Sequence, residues 1–78
     1  MIKVLSIAGS DPSSGAGIQA DLKTFQALGV FGMAAPAALT VQNSKGVDAV
    51  YPVPAGAFSR QLSGLLADMK PQAVKTGM

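Results

Sequence analysis

The sequence predicts a parallel α/β layer with the order strand, helix, strand, helix, strand. Three observations carry that prediction. The chain opens on a short, nearly continuous apolar run that ends in a Gly/Ser loop. Two later segments place apolar residues at helical spacing. Further apolar runs, too short for helices, lie between and after them.

Residues 2–8 read as a strand buried on both faces, ended by Gly9 and Ser10. Residues 9–17 are a loop of Gly, Ser and Pro. A helix is expected from about residue 15 to 28. There Ile18, Leu22, Phe25 and Leu28 fall on one stripe, and Gln19, Lys23 and Gln26 take the wet face. Gly29 is a natural stop. Residues 31–41 read as a second buried strand. Pro36 cannot donate to a ladder, so a bulge or an edge is expected there. Residues 42–46 are a polar loop, and residues 47–53 a short extended piece. A second helix starts near Pro54, and Phe58, Leu62, Leu65, Leu66 and Met69 form its stripe. Pro71 ends it. Residues 73–76 are the last strand, and Gly77 begins a turn. Right-handed crossovers join the parallel strands.

At 78 residues the chain is one small domain or a piece of a larger one. Such a chain buries only about 60% of its unfolded surface. Its residues are 49% hydrophobic and 13% charged, which suits a piece whose faces are covered by more chain. The formal charge is +2, and the six basic residues form no run. A nucleic-acid surface would cluster them on one face among aromatics, so that class is set aside. With neither cysteine nor histidine, the chain holds no disulfide, zinc site, thiol nucleophile or Ser-His-Asp triad. Its start is no secretory signal, and residues 33–39 are far too short to span a membrane.

The loop from Ala8 to Gly17 sits at the carboxyl end of a strand, where open α/β sheets bind ligands. A Walker-type phosphate loop is rejected, because no lysine lies near it. Gly15-Ala16-Gly17-Ile18-Gln19-Ala20 does fit the pattern G-x-G-x-x-G/A. In a dinucleotide site, however, the first glycine follows the strand at once, and an acidic residue comes about twenty positions later. Neither condition is met. A wall of a small-molecule pocket and a plain structural turn both stay open.

Asp21 falls inside the apolar stripe, between Phe25 and Leu28. A carboxylate there must be paired or hydrogen-bonded. It reads either as a first-turn acid favoured by the helix dipole or as an acceptor for a ligand or for loop amides. Gln42 and Asn43 end the second strand. The glutamine amide offers donors and an acceptor in one plane, which suits an aminopyrimidine edge; the plainer reading is a strand-ending turn. Asp11 and Asp48 read as surface loop residues. Met33, Met69 and Met78 read as core filler.

These residues also carry a resemblance. AGSDPSSGAGIQADLKTFQALGVFG closely resembles the opening of hydroxymethylpyrimidine/phosphomethylpyrimidine kinases of thiamine biosynthesis. ALTVQN, SKGV and VKTGM continue the likeness in order, over essentially the whole chain. The resemblance implies a ribokinase-like α/β fold, in its pyridoxal-kinase-like branch. Residues 1–78 would be the amino-terminal β-α-β-α-β portion, the substrate-side part of a single larger domain. It implies ATP-dependent phosphorylation of 4-amino-5-hydroxymethyl-2-methylpyrimidine and then of its monophosphate. By the same resemblance, Gly9 and Asp21 line the pyrimidine pocket, Gln42 hydrogen-bonds the amino side, and Met78 packs near the ring. ATP and Mg2+ would be held mostly outside this chain, as would the catalytic base. No catalytic residue or metal ligand is expected within it, so the 78 residues alone are expected to be inactive. The implied setting is cytoplasmic and the implied assembly a homodimer, with a small-molecule substrate and neither nucleic acid nor membrane as partner. Ser14 stands where the family usually has glycine. Ala35-Pro36-Ala37 replaces a stretch usually richer in β-branched residues. Pyridoxal kinase activity, a non-catalytic pyrimidine-binding module and a dinucleotide-binding fragment are the alternatives.

Overall fold

The computed structural model describes residues 1–77. It contains β1 (Lys3–Ser10), α1 (Gly17–Ala27), β2 (Phe31–Asn43), β3 (Gly46–Pro52), α2 (Ala55–Asp68) and β4 (Ala73–Thr76). The four strands form one sheet in the order β3-β2-β1-β4. β1 lies between β2 and β4 and is parallel to both.

The two faces follow from strand alternation. Leu5, Met33 and Ala35 are buried on one face and pack with Ile7 against Phe58, Leu62 and Leu65 of α2 and Met69 just after it. Ser6 lies on the opposite face, where it meets Asp21 of α1. The helices therefore cover opposite sides of β1 and β2. β1 reads as a continuous apolar run because it has a helix on each side.

Three expectations need correction. The sheet is not all parallel. β3 is a full strand, antiparallel to β2, with Ala38 paired to Pro52 and Asn43 to Gly46. The expected polar loop is a two-residue hairpin turn at Ser44 and Lys45, held by the Lys45 amide donating to Asn43 Oδ1 at 2.9 Å. Asn43 thus has a turn role. Second, β1 does not stop before Gly9. Gly9 and Ser10 stay in the strand because β2 keeps pairing with them through Ala38 and Leu39. Third, Leu28 and Leu66 leave their stripes. Leu28 follows the last residue of α1, next to a turn at Gly29 with φ +74°, and is 71% exposed. Leu66 is likewise exposed, and Leu65 alone of that pair packs on the sheet.

The irregularity expected at Pro36 is present. Ala8 pairs with Pro36, but Gly9 pairs with Ala38, so the ladder skips Ala37. The freed Ala37 carbonyl accepts the Val53 amide at 3.0 Å, which ties the end of β3 to the bulge. Both helices match their predicted stripes otherwise. α1 begins at Gly17, about two residues later than its stripe suggests.

Candidate functional site

The carboxyl ends of β1 and β2, the region just after β4 and the start of α1 surround one cleft of about 250 Å³. That lies just under the roughly 300–1,000 Å³ typical of drug-sized ligands, so it suits a single small ring. Gly9 and Gln42 both line it. Asp21 does not; Lys75, its partner, does. Met78 lies outside the described residues.

Asp11 builds the first wall. Contrary to the surface reading, it is only 2% exposed. Its carboxylate accepts the Ser13 amide at 2.8 Å, the Ser13 hydroxyl at 2.7 Å and the Ala16 amide at 2.8 Å. Gln19 completes the knot: its Oε1 accepts the Asp11 amide at 2.8 Å, and its Nε2 donates to Ser10 Oγ at 2.7 Å. α1 has no side-chain cap of its own at Ala16. Asp11, five residues upstream, bonds the Ala16 amide instead. The Ser13 and Ala16 amides, of the kind a phosphate loop would turn toward its ligand, are thus already bonded to a carboxylate. Ser14 adopts φ +68°, in the left-handed region that glycine enters most easily.

Gly17 brings helix and strand together. It takes φ +65°, and a Cβ on it would lie 2.3 Å from the Gly9 carbonyl oxygen. Only a residue without a side chain lets α1 begin directly against the end of β1.

Asp21 forms the lower layer. Its Oδ2 accepts the Ser6 hydroxyl at 2.6 Å and the Lys75 ammonium at 2.8 Å. Asp21 lies beyond the first turn of α1, so the first-turn reading is not met, and its protein partners are a strand hydroxyl and a lysine in place of loop amides. Burial pushes this carboxyl up, but the Lys75 and Ser6 hydrogen bonds and the Lys75 charge together hold it below the ordinary range. At Asp11 the Ser13 hydroxyl bond leads; burial opposes it, and the amides of Ser13, Ala16 and Gly15 add to it, again with a lowered pKa.

A pH dependence follows. A folded-state pKa below the unfolded value of about 3.8 means stability that is complete above that value. It is lost as pH falls through the lower folded pKa. The thermal midpoint is therefore expected to hold from pH 7 to about 5 and to fall below about 4. Asp11→Asn should flatten part of that fall. An unchanged acid limb in Asp11→Asn would show that Asp11 is not linked to folding.

Gln42 stands on the second wall beside Thr40, two residues earlier and on the same side of β2. The Thr40 hydroxyl donates to the Ser10 carbonyl at 2.7 Å and lies 3.1 Å from the Gln42 amide. Sequence reasoning did not single out Asp11, Thr40 or Lys75. For Thr40 the two-residue period to Gln42 was an available signal. Asp11 and Lys75 gave none, because their partners come from loop backbone and from a residue 54 positions away. Among the described residues, no three His, Cys, Asp or Glu side chains come together as a metal site.

Residues 11–78 match the family model described as phosphomethylpyrimidine kinase. The chain belongs to that family. It is 54% identical to the hydroxymethylpyrimidine/phosphomethylpyrimidine kinase of Bacillus subtilis, over 97% of this chain and 28% of the relative. With the Escherichia coli enzyme of the same name it shares 48% identity, over 99% of this chain and 29% of the relative. The chain thus spans under a third of these curated relatives. The crystal structure of a phosphomethylpyrimidine kinase from Clostridium difficile superposes on all of it with a TM-score of 0.95 at 51% identity, covering 34% of that chain. Pyridoxal kinase from Staphylococcus aureus, solved with AMP-PCP and pyridoxal, gives a TM-score of 0.89 at 49% identity and covers 29% of that chain. The fold is accordingly the ribokinase-like α/β fold of these vitamin kinases.

Proposed function

We propose that residues 1–78 form the substrate-side part of a single larger kinase domain. That domain phosphorylates 4-amino-5-hydroxymethyl-2-methylpyrimidine, and then its monophosphate, in thiamine biosynthesis. The carrying observation is the cleft at the parallel strand ends, in a chain of this family, with the Gln42 amide on its wall. In this reading the Gly9 backbone forms the floor under the ring, and Gln42 binds the amino edge. Asp21 acts through Lys75, holding its ammonium at the rim. Met78 packs on the ring. The phosphoryl donor is ATP, in keeping with the staphylococcal pyridoxal kinase solved with AMP-PCP.

Mg2+ would serve to neutralise charge on the transferring phosphoryl group. In this reading the metal, like ATP, is held mostly by other parts of the domain. What this chain contributes is binding, orientation and a shaped wall. The reading takes the enzyme to be cytoplasmic and homodimeric. No helix among the described residues is long and apolar enough to cross a membrane.

Pyridoxal phosphorylation is the second reading, favoured by the match to the staphylococcal enzyme. A chimera decides between them, with this chain replacing the matching 28% of the Bacillus subtilis relative. Its ATP-dependent turnover is measured on the aminopyrimidine and on pyridoxal. A higher kcat/KM for the aminopyrimidine is expected. A preference for pyridoxal would move the second reading to the front. Binding of the aminopyrimidine without turnover would favour a non-catalytic module.

A further inference from the structure

The hydrogen bonds around Thr40 contain a proton conflict. A threonine hydroxyl carries one proton. The Ser10 carbonyl can only accept, so at 2.7 Å it takes that proton. The same Thr40 Oγ1 stands 3.1 Å from the amide end of Gln42 that carries Oε1. Two oxygens with no proton between them repel. A half-turn of the amide about its last torsion removes the conflict: Nε2 then donates to the free lone pair of Thr40. Each contact in the chain from Gln42 through Thr40 to Ser10 then has a donor facing an acceptor, and Gln42 Oε1 is left without a partner in the protein.

We infer that Thr40 is a positioning residue: by spending its proton on Ser10 it fixes the Gln42 amide with Nε2 inward and Oε1 toward the cleft. The cleft therefore offers an acceptor at that wall. It selects a ring substituent that donates, such as an exocyclic amino group, over one that only accepts, such as a ring carbonyl. A site whose buried polar group is left unmatched rejects the wrong analogue strongly. The specificity part of this inference rests on the proposed substrate class; the amide orientation does not.

The orientation is read directly in the isotope-labelled chimera by NMR. The Gln42 side-chain amide protons, identified by their loss in Gln42→Ala, are expected to show a nuclear Overhauser effect to Thr40. Its absence would overturn the inference. Selectivity is read as the kcat/KM ratio between the aminopyrimidine and its 4-oxo analogue. Thr40→Val, which keeps the shape and removes the hydroxyl, is expected to lower that ratio at least tenfold. Thr40→Ser is expected to restore it, which a purely structural role for the side chain would not do. An unchanged ratio in an active Thr40→Val chimera would also sink the idea. If the native chimera phosphorylates neither compound but shows the Overhauser effect, the functional reading fails and the orientation stands.

Discussion

Gly17→Ala is expected to destabilise the fold by about 3–5 kcal/mol, because strain and overlap act together. The backbone at Gly17 lies at φ +65°, and the added carbon would sit 2.3 Å from the Gly9 carbonyl oxygen and 3.2 Å from the Asp11 amide. Both of those neighbours are backbone, so no flexible side chain can give way. Domains are stable by only about 5–15 kcal/mol, so much of the total would be lost. Gly29→Ala is the control. Its φ is +74° and nothing lies within 4 Å of the added carbon, so only conformational strain remains, at about 1 kcal/mol. Denaturant midpoints of the two variants in the chimera separate the contributions. Equal losses would mean that the close approach of α1 to β1 is not a stability determinant.

Gln42→Ala is expected to lower kcat/KM on the aminopyrimidine by about 10- to 100-fold, the effect of losing one hydrogen bond to a desolvated ring. The melting temperature should stay close to that of the parent chimera, because the Gln42 amide bonds only Thr40 among the described residues. A variant that keeps full kcat/KM would remove Gln42 from the binding wall.

Much of this architecture was legible in the residues, and the reasons are physical. β1 and the two helices declare themselves because each buries a fixed face, and burial imposes a period on the side chains. The bulge near Pro36 was readable because proline cannot donate. Residues 47–53 were readable as extended, but the antiparallel pairing of β3 with β2 was not. Its exposed Val47, Val50 and Tyr51 show no buried face, and its turn at Ser44-Lys45 lacks the Asn-Gly signature of tight hairpins. The loop after β1 and Gln42 could be placed near the cleft because strand ends are where such folds bind, whereas Gly9 was singled out by the family resemblance. Asp21 was correctly flagged as an acid that needs partners. Which partners it takes depends on β4 lying beside β1, a long-range pairing that no local pattern encodes. Asp11 was misread for the same reason. A loop aspartate looks solvated until the backbone of residues 13–16 closes around it.

The Asp11 knot has a consequence for what this strand end can offer a ligand. A glycine-rich turn at a strand end is ordinarily an open berth for phosphate. Here the berth is filled by the chain's own carboxylate, anchored on both sides. The Ser13 and Ala16 amides are therefore spoken for before any ligand arrives, and the loop meets the cleft as a wall already set in shape.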